Sequence, residues 1–236
     1  MLEINCDLGE GIVQEELILP FIDTASVACG GHYGDEQSIR QTLEHCKLSG
    51  IKVGAHPSYP DRENFGRISL SIKPRDLIQS IENQINLFLS ISQDLAISMD
   101  HIKFHGALYT DAAKNPDLAA SLCGFLAERF SGFPLLVPPY SQIEKKAIEK
   151  GIPIKRELFG DRAYTDDYLL LSRTQRNALF TELAQVEAHL KPMVEKGVIL
   201  SNTGKELPIF ADTLCFHGDN PGILAFLPKI RAKWWN

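Results

Sequence analysis

The stretch IKVGAHPSYPDR, residues 51–62, joins a short β-rich apolar run to a cluster of titratable side chains. The run Ile51–Ala55 has the length and composition of a buried strand, and His56 stands at its carboxyl end. A strand that ends in a polar loop is typical of parallel α/β proteins, which place their active sites at the carboxyl ends of strands. The stretch therefore predicts a parallel α/β fold with an active site at the carboxyl ends of its strands.

The same order recurs along the chain. Helical segments, such as the one whose apolar stripe contains Leu77, Ile81 and Phe88, separate short strand-like runs. This alternation predicts an α/β fold of parallel strands with right-handed crossovers. About seven strands would form a distorted, incomplete β/α barrel, and an open doubly wound sheet is the alternative. The seven runs are Leu2–Cys6, Ser26–Ala28, Ile51–Ala55, Ile102–Phe104, Phe133–Val137, Ile152–Ile154 and Thr213–Phe216.

Three smaller patterns complete the predicted architecture. Val198–Leu200 and Leu207–Phe210 flank a turn and predict a hairpin inserted before the last strand. Asn115 and Asn220 each precede a proline, which predicts a helix N-cap followed by proline in the first turn. A late helix is predicted from an apolar stripe made of Leu179, Leu183, Val186, Leu190 and Val194.

Bulk composition limits the classes of function. The 236 residues and 44% hydrophobic content suit one barrel-like domain spanning residues 1–236. The 24 basic and 30 acidic side chains give a net charge of −6, which argues against nucleic-acid binding. The sequence predicts no membrane span and no export signal. Five scattered cysteines without CxxC spacing fit reduced thiols, so we expect a cytoplasmic protein.

Titratable residues gather after nearly every predicted strand. At the carboxyl ends of parallel strands such residues meet at one rim, so together they predict an active site. In chain order the candidates are Asp7, Glu10, His32, Asp35, His56, Asp61, Arg67, Lys103, His105, Glu157, Asp161, Arg162, His217 and Asp219.

Strand alternation sharpens this prediction. Asn5 and Asp7 lie on the strand face opposite Ile4 and Cys6, and so point into the barrel. Inward polar residues are costly unless they are paired or functional. We therefore expect one pocket to gather Asp7, His32, His56, Lys103, His105 and His217.

Ordinary structural roles explain some of the other candidates. His45 and His189 fall within helical patterns, and His101 lies deeper in its strand, where a hydrogen-bonded structural role is an equal alternative. Asp35 is expected to cap the helix that begins near residue 36, and Arg67 is equally well explained as a solvated loop charge. The motifs GxxxxGK[ST], GxGxxG, HExxH and GxSxG are all absent.

Six stretches together closely resemble the LamB/YcsF family. They occur in the family's order up to about Gly222, and departures such as Tyr33, Phe104, Thr110 and Gly160 lie beside the charged residues without removing them. The resemblance implies a barrel of the glycoside hydrolase/deacetylase type. It also implies ATP-dependent opening of 5-oxo-L-proline to L-glutamate together with two further subunits, B and C. The stretches are NCDLGE (5–10), ACGGH (28–32), GAHPSYPD (54–61), KFHGALY (103–109), FGDRAY (159–164) and HGD (217–219).

The residues suit that chemistry. Once the lactam carbonyl oxygen is phosphorylated, a base must deprotonate water and the ring nitrogen must gain a proton. ATP with Mg²⁺ is expected to be shared with the partner subunits. The expected catalytic residues are Asp7, His32, His56, Lys103 and His105, with Lys103, Arg162 and Arg67 holding anionic groups. The expected substrate-binding residues are Glu10, Asp61, Arg67, Glu157, Asp161, Arg162, His217 and Asp219.

Two alternatives stay open at this point. In the first, Asp7, His32 and His56 bind a divalent cation in a metal-dependent amidohydrolase or deacetylase. In the second, the chain is a non-catalytic module that binds a carbohydrate or an amino acid, or a scaffold for partner subunits. A metal assay of protein purified without chelator distinguishes the first alternative from the ATP-dependent lactam reaction. Substrate binding without turnover would support the second alternative. Neither the identity of the general base nor the location of an ATP site follows from the sequence.

Overall fold

A computed structural model describes residues 2–235 and contains a closed barrel of seven parallel strands. The last barrel strand pairs with both the first and the sixth, which closes the sheet and rules out the open doubly wound alternative. The barrel strands are β1 (Glu3–Leu8), β2 (Thr24–Ala28), β3 (Lys52–His56), β4 (Met99–Ile102), β5 (Leu135–Val137), β6 (Ile154–Phe159) and β9 (Thr213–His217). The predicted fold class is therefore confirmed, with seven strands in a complete ring.

Helices surround the barrel and bury its outer surface. The stripe predicted from Leu77, Ile81 and Phe88 lies in the longest helix, where all three side chains are buried. The helices are α1 (Glu36–Leu48), α2 (Pro74–Asp94), α3 (Gly106–Lys114), α4 (Pro116–Arg129), α5 (Gln142–Glu149), α6 (Leu183–Lys196) and α7 (Ile223–Trp234). Two short 3₁₀ helices, Glu15–Leu17 and Leu19–Phe21, follow β1. Within residues 2–235, no helix is both long and apolar enough to cross a membrane.

Several predicted boundaries are wrong in an informative way. The sixth strand was expected at Ile152–Ile154, but it spans Ile154–Phe159, because charged residues that point into this barrel interrupt the apolar run. Glu157 therefore lies within a strand, not after it. Asp7 likewise lies inside β1, which ends two residues after its apolar run. The fourth strand ends at Ile102, so Lys103 follows it directly.

The predicted helix starts and the hairpin have mixed outcomes. Asn115 caps α4 through its side chain, as expected. Asn220 is not an N-cap, since α7 begins at Ile223 and the Asn220 amide instead hydrogen-bonds the carboxylate of Asp161 at 2.9 Å. The predicted hairpin is present as β7 (Val198–Leu200) and β8 (Glu206–Pro208), which pair antiparallel. The late helix predicted from Leu179, Leu183, Val186, Leu190 and Val194 is present as α6. Leu179 lies before this helix, and Val194 lies on its exposed side.

Polar side chains form several layers inside the barrel. At the amino-terminal end, Lys155 contacts the carboxylates of Glu3 and Asp100, each at 3.0 Å. One layer higher, the amide of Asn5 donates to the Thr213 hydroxyl at 2.7 Å. In the same region Ser26 hydrogen-bonds His101 at 2.9 Å, and a β-carbon at Gly54 would overlap the His101 ring. Because paired polar layers fill the barrel, its apolar core lies between the strands and the helices.

One buried histidine links helix α6 to the barrel and generates a test by pH. His189 donates from Nε2 to the carbonyl oxygen of Phe159 at 3.1 Å, and burial lowers its pKa from 6.5 to about 4. Because the folded pKa lies below the unfolded one, its stabilising effect is complete above about pH 6.5 and is lost as the pH falls towards 4. The loss over this window amounts to roughly 3 kcal/mol.

We expect the pH profile of the unfolding free energy to flatten between pH 6.5 and 4 in His189→Gln, which keeps a donor but cannot titrate. Urea denaturation at a series of pH values measures this difference. His45→Gln, on the partly exposed surface of α1, is the matched control and should run parallel to the wild type. Parallel profiles for wild type and His189→Gln would show that His189 is not held neutral by burial.

Candidate active site

A pocket of about 540 Å³ opens at the carboxyl ends of the barrel strands. This volume lies within the range typical of small-molecule sites, roughly 300–1,000 Å³. Five of the six residues expected to converge line the pocket, and the sixth, His32, lies behind its wall, with its ring stacked on His105 at 3.6 Å. The pocket-lining five are Asp7, His56, Lys103, His105 and His217. Their chemical roles stay predictions.

A buried lysine organises the pocket floor. Lys103 Nζ lies 2.7 Å from Asp7 Oδ1 and 3.0 Å from Glu157 Oε1, and it donates to Cys215 Sγ at 3.1 Å. Burial alone favours the neutral amine, but the two carboxylates and Cys215 hold the pKa of Lys103 well above its usual value. The ammonium therefore joins residues from β1, β6 and β9 directly below the pocket.

The two carboxylates beside Lys103 have opposite proton affinities. Burial raises the pKa of Asp7, but the nearby Lys103 and His217 more than offset this, so its pKa lies below the usual value. The pKa of Glu157 is raised, because burial outweighs the opposite effect of Lys103. The adjacent negative charge of Asp7 raises this pKa further. Asp7 is thus held ionised at the pocket, while Glu157 binds protons more readily beneath it.

Histidines and a glutamate form a second cluster beside Asp7. The ligand-type atoms of Glu10, His32, His56 and His105 all lie within 4.8 Å of one another, and all four residues are buried. His105 Nδ1 is 3.0 Å from His56 Nε2 and 3.3 Å from Glu10 Oε1. Burial is the largest cause that lowers the pKa of His56 and of His105 well below 6.5. Both imidazoles are therefore neutral donors or ligands rather than fixed cations.

The donor atoms of this cluster differ from those named in the metal-dependent alternative. That alternative placed a cation between Asp7, His32 and His56. In the structure Asp7 binds Lys103, its Oδ2 lies 3.6 Å from His56 Nε2, and Glu10 and His105 take its place in the cluster. The extra pair was missed because the loop after β1 brings Glu10 back over the strand ends, a path that strand alternation cannot predict.

Cations occupy the rim of the pocket. Arg162 donates to two backbone carbonyls, those of Ala178 at 3.0 Å and Leu171 at 2.5 Å, and no carboxylate pairs with it among residues 2–235. Burial and the neighbouring charge of Arg173 lower the pKa of Arg162 to about 10, which leaves it charged at neutral pH. Arg67 and Arg173 both pair with Asp219. Arg67 lines the pocket while its side chain stays partly exposed, so it combines a position at the site with the solvated loop position of the alternative interpretation.

His217 is positioned by a buried carboxylate. Asp161 accepts from the backbone N–H of His217 at 3.1 Å and contacts its Nδ1 at 2.9 Å. Burial raises the pKa of Asp161, but His217 and Asn220 outweigh that effect and hold it below the usual value. The ring of His217 stacks on Phe159, with 5.0 Å between centroids. Asp161 therefore orients the pocket wall and does not itself line the pocket.

Other candidates have structural positions. Asp61 Oδ1 accepts from the backbone and side chain of Asn64, which closes the loop after β3, and Asp61 does not line the pocket. Asp35 caps α1, as expected. His101 is buried between Ser26 and Asp100 in a lower layer of the barrel.

Sequence reasoning missed several residues that contact the site. Cys215 lies on the same face of β9 as His217, so strand alternation could have identified it. Tyr109 lines the pocket one helical turn after His105, a spacing of four residues that the helix pattern could have indicated. Arg173 lies in the long segment between β6 and α6, and no local sequence signal distinguishes it from a surface charge.

Fold and site together define the class of protein. A closed α/β barrel with buried acids, histidines and a lysine at the strand carboxyl ends is the arrangement of a barrel enzyme. The model of the LamB/YcsF family matches residues 2–235, and the chain belongs to that family.

Relatives and a solved structure agree with this assignment. The chain is 34% identical to proteins named as the A subunit of 5-oxoprolinase from Symbiobacterium thermophilum and Clostridium beijerinckii, over 98% of this chain and 91% and 93% of theirs. Its fold is similar to the crystal structure of a lactam utilization protein from Thermus thermophilus. The TM-score is 0.89 at 27% identity, with coverage of 98% of this chain and 96% of that one.

Proposed function

We propose that this chain is the A subunit of an ATP-dependent 5-oxoprolinase and opens the lactam ring of 5-oxo-L-proline to give L-glutamate. The observation that carries the proposal is a pocket of small-molecule size with an ionised carboxylate, Asp7, on its floor and a guanidinium, Arg162, in its wall that forms no ion pair with a carboxylate of residues 2–235. Its relatives bear the name of that polypeptide, and the structural neighbour is called a lactam utilization protein.

The substrate has two groups that match this pocket. 5-Oxoproline carries a carboxylate, which suits Arg162, and a lactam carbonyl, at which a water molecule must add. Lys103 was expected from sequence to hold an anionic group of the substrate. Its ammonium already contacts Asp7 and Glu157, so we assign the substrate carboxylate to Arg162 and give Lys103 the role of holding Asp7 in place.

The proposed reaction uses Asp7 twice. Asp7 takes a proton from water as the water oxygen bonds to the carbonyl carbon. It then returns that proton to the ring nitrogen as the carbon–nitrogen bond breaks. An ionised aspartate with a lowered pKa is a weak base, so the step requires an activated carbonyl. Phosphorylation of the carbonyl oxygen by ATP would supply that activation. Ring opening in this order leaves an acyl phosphate, γ-glutamyl phosphate, and a second water molecule must hydrolyse it to L-glutamate and phosphate.

We assign at least part of the phosphorylation to the two partner subunits. A nucleotide site usually includes a glycine-rich phosphate cradle at a helix N-terminus, and this sequence has neither common fingerprint. In the part of the chain that the structure describes, the pocket cations Arg67 and Arg173 are already paired with Asp219. Few groups are left to hold a triphosphate and its Mg²⁺.

The isolated chain, mixed with ATP, Mg²⁺ and 5-oxoproline, should therefore release neither glutamate nor ADP at a useful rate. Addition of both partner subunits should produce the two products in equal amounts. Glutamate and ADP are followed in the same samples. Stoichiometric release of both by this chain alone would overturn the division of labour.

Asp7→Asn preserves shape and removes the base. In the complete complex we expect the rate of glutamate formation to fall roughly 10²–10⁴-fold, the usual scale for loss of a general acid–base group. Asp94→Asn, which alters an exposed acid paired with Arg40, is the matched control and should keep the wild-type rate. Circular dichroism checks that both variants fold, and near-normal turnover by Asp7→Asn would refute its assignment as the base.

A further inference from the structure

The two pocket histidines present their lone pairs to each other. His56 Nδ1 lies 2.8 Å from the carbonyl oxygen of Lys103, and His105 Nε2 lies 3.0 Å from that of Phe65. A carbonyl oxygen only accepts, so each of these nitrogens must carry the ring proton. In the neutral rings, His56 Nε2 and His105 Nδ1 are then both unprotonated, and they face each other at 3.0 Å.

Two lone pairs at that distance repel unless a cation lies between or beside them. Hydrogen bonds from the far ring nitrogens to backbone carbonyls are also the arrangement that orients histidines as metal ligands. A shared proton is the other cation that fits, and a measurement of metal binding separates the two.

Glu10 supplies a third donor atom to the same point. Its Oε1 lies 3.3 Å from His105 Nδ1 and 4.0 Å from His56 Nε2. Ligand atoms about 2.1 Å from a tetrahedral ion are about 3.4 Å apart, so the three separations of 3.0, 3.3 and 4.0 Å bracket that value. The three atoms therefore have about the spacing that one face of a coordination tetrahedron requires.

His32 supports this face without being part of it. Its ring is parallel to that of His105 within 3°, at 3.6 Å between centroids, and two stacked rings cannot both direct an in-plane lone pair at one ion. His32 Nε2 lies 3.0 Å from Glu10 Oε1 and can hold that carboxylate in position as a donor. This gives His32 the role of orienting a ligand.

We propose that Glu10, His56 and His105 bind a divalent transition-metal ion of the zinc type, with the fourth position open to the pocket. Two imidazoles and one carboxylate are a donor set that suits such ions and disfavours Mg²⁺ and Ca²⁺. Both histidines line the pocket, and Asp7 Oδ2 lies 3.6 Å from His56 Nε2, so an ion here would face the base. The inference concerns ion binding and stands independently of the proposed lactam chemistry.

Buried charge at the floor of the pocket agrees with a bound cation. Asp7, Glu10 and Glu157 bring three buried carboxyl groups, and Lys103 is the one ammonium that contacts any of them among residues 2–235. A divalent ion would offset the remaining negative charge when the carboxyl groups are ionised.

The test measures binding of Zn²⁺, Mg²⁺ and Ca²⁺ to chelator-treated full-length chain by isothermal titration calorimetry. Wild type should bind one Zn²⁺ and should bind neither Mg²⁺ nor Ca²⁺ at the same concentrations. Glu10→Gln and His105→Asn should each weaken Zn²⁺ binding by more than about 100-fold, since loss of a ligand exceeds the roughly 10–100-fold cost of losing a ligand's hydrogen-bond partner. His45→Gln is the control histidine variant and should bind like wild type.

Co²⁺ substitution of the wild-type chain keeps the proposal testable if a variant fails to fold. The visible spectrum should show the intense bands of tetrahedral coordination with imidazole ligands. No Zn²⁺ binding by the wild type would show that the two histidines share a proton and would overturn the proposal. Zn²⁺ binding that is unchanged in folded Glu10→Gln and His105→Asn, or an octahedral Co²⁺ spectrum, would overturn it as well.

Discussion

A charged lysine at the centre of the barrel is the constraint on which the rest of the site depends. The side chain of Lys103 is almost completely buried, and such an ammonium is tolerated only where opposite charges and acceptors surround it. Asp7 from β1 and Glu157 from β6 provide the charges, and Cys215 from β9 provides a further acceptor. The ion pair therefore ties together the strands at which the barrel closes and places Asp7 at the pocket.

The same constraint separates the roles of neighbouring acids. Asp7 lies beside the ammonium and lines the pocket, and its lowered pKa keeps it ionised there. Glu157 lies deeper, where burial raises its pKa, and it contacts Lys103 without lining the pocket. Glu10 contacts His32 at 3.0 Å and lies with His56 and His105 in a nitrogen-rich cluster beside Asp7. Two clusters of different chemistry thus share one pocket, and we infer that one serves proton transfer and the other cation binding.

Periodicity predicted the architecture because each barrel strand has an apolar outer face. The prediction was wrong where a strand also has charged inward residues, as at Lys155 and Glu157, since the apolar run then ends before the strand does. Titratable residues at strand ends were located well because parallel strands end at one rim. Pairing between them was not predictable: Arg67 reaches Asp219 across 152 residues, and Glu10 approaches His105 through a loop whose path depends on tertiary packing.

The central claim is that Lys103 is a charged structural centre, and unfolding free energies test it most directly. Lys103→Met leaves two buried carboxyl groups without their cation and should cost about 3–5 kcal/mol in urea denaturation at pH 7. The triple variant Asp7→Asn, Lys103→Met, Glu157→Gln removes all three ionisable groups and should recover most of that loss, because replacing a complete buried ion cluster is often neutral. Unfolding free energies for Lys103→Met within about 1 kcal/mol of wild type, the scale of an exposed ion pair, would contradict the account.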